Sequence, residues 1–329
     1  MISKTEFSRD DANQLRESLA KMDFRLDGAS NTDSELARSY RDHYGLNFGV
    51  NDNVTHHILG LFNSGPYQIV CQYFAVTPSE QKGTAFLIHG YFDHCGIYGH
   101  LIEHCVRQGF AVVIFDLPGH GLSSGSIASI GSFREYSKAF LDCLAVANKQ
   151  EVNQPWIAIG QSAGAAILID SILDAGLAEK YSFQRYILLG PLLRPRRWFK
   201  SSLLFSITRW FVASSPRKFS ENSHDQEFLR FLRQNDALQS NFLSRDWVLA
   251  MIDYQKRFKK SDVSDQAVHI IQGSGDGTVD WEHNLAKLHE KFPAAKSYIV
   301  SDARHQLINE SVGFRDKIFS LINQILSDL

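Results

Sequence analysis

Six short, nearly unbroken apolar runs recur along the chain. They are GTAFLIHG (83–90), FAVVIFD (110–116), WIAIG (156–160), YILLG (186–190), AVHIIQG (267–273) and KSYIV (296–300). Each is too short for a buried helix and, between the first three, segments of helical spacing intervene, about 97–108 and 133–149. The run AGAAILIDSIL follows WIAIG as a further helix. Strands apolar on both faces, alternating with helices, specify a mostly parallel sheet covered by helices on both sides, an α/β fold. Before the alternation starts, VTHHILGLF and YQIVCQYFAV flank the turn residues NSGP and read as an antiparallel hairpin.

The alternation breaks once. Between YILLG and AVHIIQG lie roughly 75 residues, far more than one crossover helix needs. The expected organisation is an N-terminal helical extension (1–53), a core from 54–190 and 263–329, and an inserted lid (191–262). In the extension, Ser8 and Asp11 form a capping-box pair, with Leu15, Leu19 and Met22 on one helical face. Leu36, Tyr40 and Tyr44 mark a second helix that Gly45 can end.

Lys and Arg total 34 against 36 Asp and Glu, a net charge of −2, unlike a dedicated nucleic-acid binder. With 44% apolar and 21% charged residues, the composition excludes disorder. The start MISKTEFSRDDANQ has no apolar signal region, and no run of 18 apolar residues occurs. Cys71, Cys95, Cys105 and Cys143 lack metal-type spacing and read as inert thiols of a reducing cytoplasm. No metal or other cofactor is called for.

The pattern G-x-S-x-G occurs at 160–164 and 121–125. A serine hydroxyl exposed on a sharp turn requires a strand before it and a helix after it. Ser162 has both, between Gly160 and Gly164, whose small size lets strand and helix pass closely. Ser123 sits in the loop PGHGLSSGSIAS with no helix starting beyond it, and reads as a supporting residue. A serine needs a base, and the base an orienting carboxylate. In this architecture the order is Ser, acid, His. His305 follows KSYIV, and Asp276 follows AVHIIQG; both lie at strand C-terminal ends, where open α/β sheets place their sites. Asp280 and Asp302 are the alternative acids. The N–H groups of Ala163 and Tyr91 are the expected oxyanion donors, with Gly90 allowing the turn. His89 reads as a structural hydrogen-bonding residue. His100, Glu103 and His104 spell H-x-x-E-H, an inverted zinc-protease motif. A zinc site there would leave the serine constellation unexplained, and the helix already has a packing role.

From Tyr67 onward the chain resembles an α/β-hydrolase of the monoacylglycerol lipase and lysophospholipase group. HGYFDHCGIY resembles that group's H-G-x-x-E-H-x-x-x-Y block, with Asp93 where Glu is usual. FDLPGHGLSSG, GQSAG, GSGDGTVD and ARHQLINE resemble its loop, elbow, acid and histidine blocks, in order. The resemblance implies a Ser162–Asp276–His305 triad, Tyr91 and Ala163 as oxyanion donors, and a lid over the pocket. Phe92 departs from it, standing where a small residue is usual, so a reshaped acyl pocket is expected.

Between Arg194 and Lys218 there are seven basic residues and no acidic one, interleaved with aromatics. Phe199, Leu203, Ile207 and Trp210 would make one stripe of a helix. Two readings stand: a helix packed on the core, which is favoured, or a surface touching anionic membrane. The functional expectation is a cytoplasmic serine esterase, with peripheral contact at the inner membrane surface under the second reading. Its substrate is a small-molecule ester, a monoacylglycerol or lysophospholipid above all, and no nucleic acid is a partner. A general carboxylesterase, a serine aminopeptidase-like hydrolase and a non-catalytic binding scaffold are the alternatives.

Overall fold

The computed structural model describes residues 6–25, 34–49, 53–196, 214–217, 219–327 and 329. The hairpin forms as β1 (Val54–Ser64) and β2 (Tyr67–Val76). The apolar runs become β3 (Gly83–Ile88), β4 (Phe110–Phe115), β5 (Trp156–Gln161), β6 (Phe183–Leu189), β9 (Val268–Gly273) and β10 (Lys296–Val300). They make one eight-stranded sheet in the order β1-β2-β4-β3-β5-β6-β9-β10. Only β1–β2 and β2–β4 pair antiparallel; every other neighbour is parallel. Every residue of β3, β4 and β5 is buried, which explains their unbroken apolar character.

The helices are α3 (Gly99–Arg107), entered through a 3₁₀ turn at Cys95–Tyr98, then α4 (Phe133–Lys149) and α5 (Ala163–Leu173). A short α6 (Leu177–Lys180) follows. The step from β3 to β4 runs one way along the sheet, and the later steps run the other way. Right-handed crossovers therefore put α3 on one face and α4 and α5 on the opposite one. The order reverses at β3, beside β5, which is where such sheets open a crevice at their C-terminal edge.

Between β6 and β9, the described part of the insertion holds β7 (Ser214–Pro216), α7 (Gln226–Gln234), β8 (Phe242–Ser244) and α8 (Arg245–Lys260). The aromatic stripe from Phe199 to Trp210 lies outside the described residues. The ends flanking that stretch are pinned. Pro195 bridges to Val279, Arg196 N–H donates to Thr278 O at 2.9 Å, and β7 pairs with β8. After β9 come α9 (Trp281–Lys291) and, following β10, α10 (Val312–Leu326). Among the described residues no helix is long and apolar enough to cross a membrane.

The extension forms α1 (Arg9–Ser18), with the Ser8–Asp11 capping box in place, and α2 (Glu35–Tyr44), ended by Gly45 at φ +68°. Met22 differs from the sequence reading. The helix stops at Ser18, and Met22 N–H donates to Leu61 O at 2.8 Å while Leu61 N–H donates to Ala20 O at 2.8 Å. The outer edge of β1 offers ladder bonds, and these replace a further helical turn. Leu15, Leu19 and Met22 are still all buried. Phe7 packs edge to face on both Tyr40 and Tyr44, fixing the start of α1 against α2.

Candidate active site

The turn between β5 and α5 carries Ser162 at φ +56°, ψ −112°. A non-glycine residue there is strained, and neighbouring bonds hold it: Ser162 N–H donates to Leu189 O at 2.8 Å, and its carbonyl accepts from Leu192 and Ala166. The crossing tolerates no side chain. A Cβ on Gly164 would meet Ile88 O at 2.0 Å, and one on Gly160 would meet Gly164 C at 2.6 Å.

Ser162 Oγ lies 2.8 Å from His305 Nε2, and His305 Nδ1 lies 2.7 Å from Asp276 Oδ2. His305 and Asp276 are buried. Asp276 also accepts from the Thr278 and Val279 N–H groups, at 2.8 and 3.1 Å, and from Gln272 Nε2 at 3.1 Å. Burial opposes its charge, yet His305 and these donors outweigh burial and hold the carboxyl below its ordinary range. Burial likewise disfavours the His305 cation, but Asp276 outweighs it and moves the imidazole upward. The alternative acids go elsewhere. Asp280 stands at the N-terminus of α9 and pairs with Arg194, and Asp302 sits exposed in the turn after β10. Ser123 Oγ donates to Asp116 O at 2.6 Å and accepts from Val70 N–H at 2.9 Å, tying its loop to β2.

Among the described residues neither the Ala163 nor the Tyr91 N–H meets a protein acceptor. Gly90 N–H, by contrast, is taken by Tyr98 Oη at 3.0 Å. The Tyr91 ring stacks on Trp247 of α8, centroids 3.8 Å apart, and its hydroxyl donates to Ala128 O at 2.7 Å. His89 Nδ1 donates to Gly90 O and Nε2 accepts from Leu117 N–H, so burial keeps this ring neutral beneath the loop. A Cβ on Gly90 would strike Asp93 Oδ2 at 2.7 Å. His104 stacks on Phe319 of α10, centroids 4.4 Å apart. Among the described residues no three His, Cys, Asp or Glu side chains group as metal ligands.

Three features of the site escape sequence reasoning. A side-chain relay joins the loops: Gln161 Nε2 donates to Gln306 Oε1 at 2.6 Å, and Gln306 Nε2 donates to Asp93 Oδ1 at 2.9 Å. Each member lies inside a site block, which is the signal that could have found them. Next, the segment before α7 grips the histidine loop. Gln306 N–H donates to Asn222 O, Ser223 Oγ to Asn309 O, and the buried Glu310 accepts from His224 and from Arg304 N–H. Finally, the segment after α7 grips the loop of Gly90 and Tyr91. Asp236 accepts from His94 Nε2 at 3.0 Å and Tyr44 Oη at 3.0 Å, while Arg9 Nη2 donates to Leu238 O at 2.8 Å. No spacing rule connects residues so far apart in the chain.

The chain matches the family described as serine aminopeptidase, S33, over residues 79–312. It is 29% identical over 133 residues to a monoglyceride lipase of Rattus norvegicus, covering 40% of this chain and 42% of that protein. It is 30% identical over 113 residues to a monoacylglycerol lipase of Mycolicibacterium smegmatis, covering 34% of this chain and 39% of that protein. The matched part thus spans about two fifths of these curated relatives. In structure it resembles a soluble variant of monoglyceride lipase from Saccharomyces cerevisiae bound to a substrate analogue. The TM-score is 0.71 at 18% identity, over 86% of this chain and 98% of that one.

Proposed function

The chain belongs to the serine aminopeptidase S33 family and has the α/β-hydrolase fold, and from that premise we propose that it hydrolyses carboxylic esters through an acyl-enzyme. The observation carrying this proposal is the continuous hydrogen-bonded line from Ser162 through His305 to Asp276. His305 takes the Ser162 proton as Oγ attacks the ester carbonyl. Asp276 fixes the tautomer with the proton on Nδ1 and stabilises the imidazolium. The free N–H groups of Tyr91 and Ala163 receive the oxyanion, a donor of this kind being worth ~10²–10³ in rate. His305 then protonates the departing alcohol, and a water activated by the same imidazole releases the acid.

Single-chain lipid esters are the proposed substrates, supported by the lipases among the relatives and by the aromatic cluster of Phe92, Tyr91 and Trp247 around the Tyr91 N–H. Membrane contact by the lid is a weaker proposal. Arg194 is paired with Asp280, Arg196 Nη1 donates to Asp276 O at 3.4 Å, and Arg217 lies against Phe92 and Phe219. The anionic-surface reading therefore rests on Arg197, Lys200, Arg209 and Lys218, which lie outside the described residues. Flotation with anionic against neutral liposomes tests it; failure with both removes it.

A fluorophosphonate probe and a hydrolysis panel test the main proposal. The probe should label Ser162 alone, and long-chain monoacyl esters should outpace short p-nitrophenyl esters and aminoacyl amides. Labelling that persists in Ser162→Ala, or turnover of amides only, overturns it.

A further inference from the structure

Phe92 follows the Tyr91 N–H directly, and its backbone stands at φ +70°, a region bulky side chains rarely enter. Its ring is held between two neighbours. The Tyr91 ring lies 4.1 Å away between centroids, and the Arg217 guanidinium carbon lies 4.1 Å from the Phe92 centroid. Phe219 lies 4.5 Å from the same guanidinium, so Arg217 contacts two aromatic rings.

One edge of this guanidinium is anchored. Nη1 donates to Gln239 Oε1 at 2.6 Å and to Ser240 O at 3.4 Å. Among the described residues, Nε and Nη2 have no protein acceptor, and no carboxylate reaches ion-pair distance. Two acids lie nearby with their oxygens engaged. Asp93 accepts from Gln306 and Tyr98, and Asp236 accepts from His94, Tyr44 and Leu238 N–H. A planar cation packed on aromatic rings, with a free edge of N–H donors, has the fork geometry that takes phosphate oxygens in pairs.

The position assigns the fork to one part of the substrate. Phe92 joins the oxyanion loop to Asp93, and Asp93 is bonded to Gln306, the neighbour of His305. His305 protonates the departing alcohol in the mechanism above, so this flank, Phe92 included, is assigned to the alcohol portion rather than to the acyl pocket expected from the sequence. We propose that Arg217, set between Phe92 and Phe219, binds a phosphate carried on the alcohol portion of the ester. The site then favours phosphate-bearing single-chain esters over neutral glycerol esters. This inference rests on the ester-hydrolase proposal above.

The test compares 1-hexanoylglycerol 3-phosphate with 1-hexanoylglycerol, both kept monomeric, using the full-length chain. In Arg217→Gln the quotient of their kcat/KM values should fall about tenfold or more, the scale of a lost charge-assisted hydrogen bond. Arg217→Lys, which keeps charge but not the fork, should restore part of it. An unchanged quotient, or equal losses on both esters, overturns the proposal. Phe219→Leu, which removes one ring, should lower the quotient less, and guards against a folding defect in Arg217→Gln.

Two further arms separate the causes. Phosphatidylglycerol vesicles are added to a parallel assay; if the quotient depends on Arg217 only when vesicles are present, the phosphate recognised is a lipid surface and the substrate assignment fails. Calorimetry on Ser162→Ala compares 1-O-hexylglycerol 3-phosphate with 1-O-hexylglycerol. Arg217-dependent phosphate binding without ester turnover in the unmodified enzyme would overturn the hydrolase proposal and keep the subsite. Turnover without Arg217 dependence would do the reverse.

Discussion

The elbow and the insertion position the same few atoms by opposite means. At the elbow, everything needed lies within five residues: a strand end, Gly160, Ser162 at positive φ, Gly164 and a helix start. The insertion works at a distance. Its segments flanking α7 grip the histidine loop through Glu310 and the loop of Gly90 and Tyr91 through His94 and Asp236, with Tyr44 and Arg9 of the extension closing the second grip. The elbow is a backbone device and the grips are polar side-chain devices. The first should fail as chemistry, and the second as stability.

The largest expected effect is on the chemistry. Ser162→Ala or His305→Ala should lower turnover by ~10⁴–10⁶ with little change in Tm. Stopped assays with intact-fold controls by circular dichroism check this, and a variant that unfolds instead would blur the contrast between the two regions. Asp276→Asn comes next, at about 10⁴ in kcat. It should also displace the acid limb of the kcat/KM profile. His305 must be neutral to act as base, and Asp276, helped by Asp93, raises its pKa against burial. Without the Asp276 charge, burial prevails and the limb moves to lower pH; a limb that moves upward contradicts the assignment.

Asp236→Asn probes the grip. His94 and Asp236 are both fully buried, and breaking such a pair costs about 3 kcal/mol. Denaturant midpoints should fall, while phosphonate labelling of Ser162 persists under folding conditions. Loss of labelling at unchanged midpoint would erase the distinction between the regions. The pair also has a pH signature. Asp236 is depressed despite burial, because His94, Leu238 N–H and Tyr44 stabilise its charge, so its contribution is lost as pH falls through the folded value. His94 is raised despite burial, by Asp236 with Asp116 and Asp93 behind it, so its contribution is lost as pH rises through the folded value. The difference in stability between the protein and Asp236→Asn should peak between about pH 4 and 6.5, the two unfolded values. Smallest of all, Tyr44→Phe removes one hydrogen bond to that carboxylate, about 1.5 kcal/mol by chemical denaturation.

What could be read from the sequence follows the same division. The parallel strands were legible because burial on both faces leaves them continuously apolar. The carboxylate that meets His305, Asp276, was legible by its place three residues past the end of β9, with Asp280 and Asp302 as alternatives. Met22 was misplaced in a helix because the competing partner, the β1 edge at Leu61, is invisible to local periodicity. Asp236 and Glu310 carry no local signature, since a buried carboxylate is defined by partners that arrive from other parts of the chain. Glu310 stood inside the histidine block, yet its role depends on His224, more than eighty residues earlier. Arg217 looked like one more cation of a basic stretch until its two rings were seen.

The pinned ends of the stretch 197–213 have a practical consequence. Arg196 is fixed to the loop after β9, and Ser214 is fixed to β8, so both junctions belong to the scaffold rather than to the stretch they enclose. The chain between them is a cassette to exchange for the equivalent piece of a relative, since the bonds described above at Asp236, Glu310 and the serine turn all come from residues outside it. Chimaeras joined at those two residues would show whether acyl-length preference travels with the transplanted piece or stays with the host.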